Sequence, residues 1–172
     1  VHPTMATKVT YGWIRTGVNK PIATIASRTR VNLMGALNLE SMQVTIGSYE
    51  TIDSEAMVKY FDRLKAAYPK ATKIHLILDQ GPYNISIVTR DAAKKRGIHL
   101  HYLPPYSPNL NPIERLWKVM NERVRNNRVF ESAKEFRREI MNFFEITWPQ
   151  IARASTDRIN DSFQRFNPTL SD

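Results

Sequence analysis

The chain has 172 residues, 42% of them hydrophobic and 24% charged, which is ordinary for one soluble domain with a real core. It holds no cysteine, which excludes a disulfide framework and a thiolate metal site and fits a reducing compartment, and no apolar run approaches the length of a bilayer span. A net charge of +9 and a pI near 9.9 point to a polyanionic partner, most commonly nucleic acid, with a basic but unspecialised surface as the alternative.

Residues 1–9 are polar and turn-like, and the residues given carry no signal-peptide pattern. Residues 10–14 and 21–25 read as short strands around a Gly/Asn turn at 15–20. Residues 31–37 and 42–46 read as better strands, joined by a connection short enough for a hairpin. Asp53 has the place of a helix N-cap, and Met57, Tyr60, Phe61, Leu64 and Tyr68 then form one apolar helical face that Pro69 stops. Residues 73–78 are a compact apolar run, the pattern of a buried strand, ended by Asp79 and a Gln80-Gly81-Pro82 turn. A helix is predicted over 83–96, closed by Gly97, and a strand over 99–103. The order implies a mixed sheet with helices packed on it.

The next stretch is the most informative. Residues 104–112 hold four prolines and two asparagines, and Pro112 and Asn111 suit the first turn and cap of a helix carrying Ile113, Leu116, Trp117, Met120 and Val124. A further helix over 132–148 buries Phe136, Ile140, Phe143, Phe144 and Thr147 and ends at Pro149. Ile151, Ile159, Phe163 and Phe166 suggest a last short helix.

Asp79, at the end of a buried strand, and Glu114, at the start of a helix aimed by a rigid turn, are candidate catalytic and metal ligands. Hard divalent cations take oxygen ligands, and Mg²⁺ often uses one or two carboxylates with phosphate oxygens and water. Each has a plainer reading. Asp79 suits a turn or helix cap. Glu114 suits a helix first turn, with Lys118 four residues on as an ion partner.

Tyr106-Ser107-Pro108-Asn109-Leu110-Asn111-Pro112-Ile113-Glu114, followed by Leu116-Trp117, resembles the third catalytic motif of DDE-type transposases. It is most similar to the bacterial insertion-sequence branch of the mariner superfamily. Ile77-Leu78-Asp79 resembles the second motif, with thirty-four residues between Asp79 and Glu114, a spacing that family uses. Val1-His2-Pro3-Thr4 and Tyr11-Gly12-Trp13 resemble the stretch after its first motif. Relatives often carry Asn-Ala after the second aspartate and a histidine five residues on, where this chain has Gln80-Gly81 and Asn84.

The resemblance implies an RNase-H-like mixed sheet flanked by helices and a two-ion Mg²⁺ or Mn²⁺ site. The third ligand would be an aspartate on a first strand just upstream of Val1. That strand and a helix-turn-helix DNA-binding region are expected to lie outside these residues, making 1–172 an N-terminally truncated catalytic domain. The implied partners are DNA, as terminal inverted repeats and a TA target, and a second copy in a homodimer. The implied location is the bacterial cytoplasm, at the nucleoid. Two other readings stay open: a remnant or split-frame partner that binds without cutting, and a different RNase-H-like nuclease.

Asp53 is better explained as a cap than as the third acid. His75, His99 and His101 lie in strands and read as buried or half-buried structural histidines, although His99 and His101 share a face as two zinc ligands would. His2 lies near the expected first motif. Trp13, Trp117 and Trp148 read as core rather than as base-stacking residues. From 115 to 138 there are eight basic residues against three acidic. Arg115, Lys118, Arg123, Arg125 and Arg128 are the candidate DNA contacts beside the Glu114 helix, against a merely solvated face.

Overall fold

The computed structural model describes residues 1–11, 13–18 and 21–162. Its elements are β1 (Asn32–Leu37), β2 (Val44–Tyr49), α1 (Ser54–Ala67), β3 (Ile74–Leu78), α2 (Ile87–Lys95), β4 (Ile98–Tyr102), α3 (Ile113–Met120), α4 (Ala133–Asn142) and α5 (Trp148–Ile151).

β1 and β2 form an antiparallel hairpin with Gly35 opposite Ile46. Asn38 shapes its turn, its side-chain oxygen accepting the N–H groups of Glu40 and Ser41 at 2.9 and 3.0 Å. β3 and β4 are parallel, with Ile77 opposite His101. Such a pair needs a crossover, and α2 supplies it.

Alternation along β1 sends neighbouring side chains to opposite faces. Met34 joins Phe61, Leu64, Leu78, Ala93 and Ile98 in a core under α1 and α2. Leu33 joins Leu116, Trp117, Phe136, Ile140, Phe143 and Trp148 in a second core under α3 to α5. Helices therefore cover both faces of the hairpin.

The strands do not form the single mixed sheet that the sequence implies. They form two two-stranded sheets. Between them lies a cleft of about 860 Å³, lined by Leu33 to Leu37 on one side and Ile74 to Asp79 on the other. The first residues of the chain enter this region. Thr4 bridges Arg30 antiparallel, and Val1 and Leu33 exchange backbone hydrogen bonds of 2.9 and 3.0 Å. The pairing along this edge of β1 runs from Arg30 to Leu33. Gly35 and Leu37 lie further along the same edge, since alternate residues of an antiparallel strand bond to the same side.

Several expectations are corrected. Residues 10–14 and 21–25 form no strand among their described residues, and Gly12, Asn19 and Lys20 lie outside the description. Among the described residues no strand pairs with them; their backbone bonds are isolated, such as Thr7 N–H to the Ile25 carbonyl at 3.0 Å and Thr10 N–H to Asn127 Oδ1 at 2.9 Å. Trp13 is fully exposed, not core, whereas Trp117 and Trp148 are buried. α2 starts at Ile87 rather than at 83, because Ser86 caps it by accepting the Thr89 N–H at 3.1 Å. The helix begun at Ala133 does not end at Pro149. A π-turn at Phe143–Thr147 widens it, Trp148 donates to the Phe143 carbonyl, and α5 continues to Ile151. The wider turn accommodates a proline that cannot donate in an ordinary helix interior. Phe163 and Phe166 lie outside the described residues, while Ile159 is buried.

Candidate active site

β3 ends at Leu78, and the chain turns sharply through residues 79–86 before α2. One oxygen of Asp79 organises that turn. Its Oδ1 accepts the Gly81 N–H at 3.0 Å and the Asn84 side-chain amide at 2.7 Å. Gln80 crosses to β4, its side chain donating to the Leu103 carbonyl at 2.9 Å. Leu103 N–H in turn donates to the Leu78 carbonyl at 2.9 Å. The ends of the two parallel strands are thereby tied together, and Asp79 lies exposed at the mouth of the cleft. Among the described residues no hydrogen bond reaches its Oδ2.

Glu114 arrives from the other side. The proline-rich connection makes a short 3₁₀ turn at Pro108–Leu110. Tyr106 there takes φ 56°, uncommon outside glycine, and projects fully into solvent. Pro112 is already helical at φ −57° and ψ −26°, and the Asn111 side-chain oxygen accepts the Ile113 N–H at 3.4 Å. The proline stands at the helix entrance as expected, but it takes the cap position itself and the first helical residue is Ile113, with Asn111 making only the long contact to the Ile113 N–H. Leu116, Trp117, Val119 and Met120 bury the opposite face of α3. Trp117 lies so close to β1 that a Cβ on Gly35 would stand 2.6 Å from its ring. Glycine at 35 lets α3 approach the hairpin and sets Glu114 at the cleft.

Asp79 and Glu114 line the same cleft. Desolvation of the Glu114 carboxyl at the cleft pushes its pKa above the ordinary glutamate range, although the residue as a whole is exposed; the Val1 ammonium pulls it down, and the Asp79 carboxylate raises it further. Burial lowers the pKa of the Val1 ammonium, opposed by the charges of Glu114 and Asp79. The chain's first nitrogen thus lies within electrostatic reach of both carboxylates. No ion pair joins Glu114 to Lys118 among the described residues, so the helix-pair reading of Glu114 gains no support. Asp53 is a cap, its Oδ1 accepting the Ala56 N–H at 2.8 Å.

The two carboxylates offer hard oxygen donors of the kind a divalent cation takes. Among the described residues no group of three or more His, Cys, Asp or Glu is arranged to hold a metal ion. The donor type fits Mg²⁺ or Mn²⁺, and this chain brings two ligands to it.

The histidines are not buried. His75, His99 and His101 stand on the exposed face of β3 and β4, with His75 stacked on both others at 5.1 Å. His75 Nδ1 lies 2.9 Å from His101 Nε2. Strand alternation placed them on one face, but no helix covers it among the described residues. His2 meets Asn32, Nδ1 to Oδ1 at 2.8 Å.

The five basic candidates divide. Lys118 and Arg123 are exposed. Arg128 is exposed too, near Glu139 at 3.6 Å and over the Phe130 ring. Arg115 donates to the Asn160 carbonyl at 2.9 Å. Arg125 turns inward, donating to Asn121 Oδ1 at 2.7 Å and to Thr4 Oγ1 at 3.1 Å, and burial lowers its pKa. Sequence reasoning noted Asn84 only as a departure from the histidine of relatives and missed it as a partner of Asp79. It also missed the inward role of Arg125.

Residues 1–137 match the family of DDE superfamily endonucleases. The chain is 27% identical over 143 residues to the insertion element IS630 uncharacterized 39 kDa protein of Shigella sonnei, covering 83% of this chain and 42% of that protein. It is 31% identical over 87 residues to the transposable element Tc1 transposase of Caenorhabditis elegans, covering 51% of this chain and 30% of that one. The chain therefore spans less than half the length of either relative. Among solved structures it resembles the Mos1 strand transfer complex, with a TM-score of 0.67 at 14% identity over 92% of this chain and 49% of that one. It also resembles the catalytic domain of Mos1 mariner transposase, with a TM-score of 0.51 at 13% identity over 80% of each chain. The fold is RNase-H-like. No described helix is long and apolar enough to cross a membrane.

Proposed function

The chain belongs to the DDE superfamily endonucleases, and from that premise we propose that it is the catalytic core of a DNA transposase of the insertion-sequence branch of the mariner superfamily. One observation carries this reading: two carboxylates from separate elements line one cleft, and the charge of Asp79 acts on Glu114. Asp79 and Glu114 are the catalytic residues and hold Mg²⁺ or Mn²⁺, with a third carboxylate supplied by residues preceding Val1. The position of the Val1 nitrogen, within reach of both charges, supports that placement of the third acid.

Divalent ions held there supply an activated oxygen nucleophile and stabilise the leaving oxygen of a phosphodiester. The protein's own part is positional. The 79–86 turn fixes Asp79, and Pro112, Gly35 and Trp117 fix Glu114, so the ligands need little rearrangement. Water attacks phosphorus at the element end and the P–O3′ bond breaks, leaving a 3′-hydroxyl and a 5′-phosphate. That hydroxyl then attacks a target phosphodiester at a TA dinucleotide, forming a new P–O3′ bond as the target's own P–O3′ bond breaks and its 3′-oxygen leaves as a hydroxyl. No covalent protein intermediate is required. Lys118, Arg123 and Arg128 hold backbone phosphates. Arg115 and Arg125, engaged internally, contribute less to that contact.

The isolated residues 1–172 are proposed to be inactive because their site is incomplete. With Mg²⁺ or Mn²⁺ and terminal-repeat DNA, they are expected to give no nicking. A longer protein carrying the upstream aspartate should nick, and Asp79→Asn or Glu114→Gln should reduce its rate by about a hundredfold or more. Undiminished nicking by either variant would overturn the assignment. The second reading, a split-frame partner or remnant that binds without cutting, is favoured by the two-ligand site. It is decided by the DNA upstream of the Val1 codon: an aspartate strand and a helix-turn-helix support the enzyme, and their absence in every frame supports the remnant.

A further inference from the structure

Asn84 is a polar residue with only 6% of its surface exposed, and the reaction as derived above does not use it. Its backbone is fixed twice: its N–H donates to the Gly81 carbonyl at 2.8 Å, and its carbonyl accepts the Tyr102 hydroxyl at 2.9 Å. Tyr102 ends β4, so Asn84 is anchored to the strand beside β3. Its side-chain amide then faces Asp79, donating to Oδ1 at 2.7 Å and to the Asp79 carbonyl at 3.2 Å. Both are acceptors only, so the amide nitrogen must point at them; the reversed amide would set oxygen against oxygen.

These contacts divide the two oxygens of Asp79. Oδ1 accepts from Asn84 and from the Gly81 N–H at 3.0 Å. Oδ2 has no hydrogen-bond partner among the described residues. Rotation of the carboxylate would break both bonds to Oδ1 and leave the buried amide of Asn84 with only its longer bond to the Asp79 carbonyl, a costly exchange.

We propose that Asn84 is a positioning residue: it locks the Asp79 carboxylate so that Oδ2 is the oxygen offered to a divalent cation. This rests on the metal-site reading of Asp79 and Glu114. Ligating carboxylates are commonly held by hydrogen-bond partners of this kind, whose loss weakens metal affinity about ten- to a hundredfold. A purely structural role, closing the turn before α2, makes a different demand: loss of Asn84 would then lower stability and leave the affinity of the folded protein unchanged.

The test measures Mn²⁺ binding to residues 1–172 from the free-ion electron paramagnetic resonance signal, beside the melting temperature of each variant. Asp79→Ala should abolish binding; if it does not, the metal-site reading itself fails. With that control in hand, Asn84→Ala should weaken Mn²⁺ binding at least tenfold below its melting transition. Asn84→His, which retains an N–H donor, should recover most of the loss. Wild-type affinity in Asn84→Ala would overturn the proposal. Should Asn84→Ala not fold, the wild-type chain still decides. One Asn84 side-chain amide proton should exchange slowly by nuclear magnetic resonance, lose that protection in Asp79→Ala, and broaden on adding Mn²⁺. A freely exchanging amide, or one that Mn²⁺ leaves sharp, would overturn it equally.

Discussion

Because desolvation raises the pKa of Glu114, the metal-free protein holds a proton on that carboxyl more tightly when folded than when unfolded. The sign of the stability effect follows. The contribution is fully present below the ordinary glutamate pKa of 4.5 and is lost as pH rises through the higher folded value. Glu114→Gln, which carries no charge at any pH, should therefore melt above the wild type at pH 7 without metal. The two melting temperatures should converge near pH 4. A pH-independent gap in a thermal denaturation series would contradict this account. The basic residues can be separated by a different measurement. If Lys118 and Arg123 touch phosphates, replacing either by alanine should lower the slope of log affinity for DNA against log salt by about 1. Arg125→Ala should leave that slope alone and cost about 1–3 kcal/mol of stability, since it strands Asn121 and Thr4 beneath the surface. A slope change for Arg125→Ala and none for Lys118→Ala would reverse the assignment.

At the scale of elements, the approach of α3 to β1 decides where Glu114 stands. Gly35→Ala would put a methyl group 2.6 Å from the Trp117 ring, in a packed interior with little room to yield. The expected cost is about 1–3 kcal/mol, read as a lower melting temperature, with altered Trp117 fluorescence as the helix shifts. An unchanged emission spectrum and melting point would show that the helix is not seated by this contact. This dependence was invisible in the sequence, where Gly35 is only a glycine within a strand pattern. The local signals were legible where neighbours in sequence decide the structure: the Asp53 cap, the stop before Pro69, and the Asn111-Pro112 entry to α3. They failed where distant groups decide. Residues 10–14 have strand-like side chains and no strand to join. Pro149 looked like a helix end, yet the buried Trp148 donates its indole N–H to the Met42 carbonyl at 2.8 Å, and the helix widens and continues around it. The histidines alternated as expected, but alternation alone does not say which face a helix will cover. Of the candidate site, motif and spacing pointed to both carboxylates, which line one cleft; the contacts that Asn84 makes with Asp79, and Gly35 with Trp117, are ones no spacing encodes.

At the scale of the whole molecule, the cleft between the two sheets is the feature to explain. Among the described residues β3 bonds β4 along one edge only, and β1 is paired on its second edge only as far as Leu33. Exposed strand edges are templates for another strand. The antiparallel register set by Thr4 with Arg30 and Val1 with Leu33 points any residues preceding Val1 along Gly35 and Leu37, past Asp79 and Glu114. A strand there would join the two sheets into one and carry an acid to the carboxylates. Hydrogen exchange can test this edge directly. In residues 1–172 the amides of Gly35 and Leu37 should exchange quickly, while the amide of Leu33, bonded to the Val1 carbonyl, is slowed. In a longer protein that supplies the upstream residues, Gly35 and Leu37 should become protected by about a hundredfold or more, because opening them would then require breaking a central strand pair. Protection of both amides already in residues 1–172, or fast exchange of both in the longer protein, would mean that the cleft does not receive a strand. The third ligand would then have to reach Asp79 and Glu114 by another path.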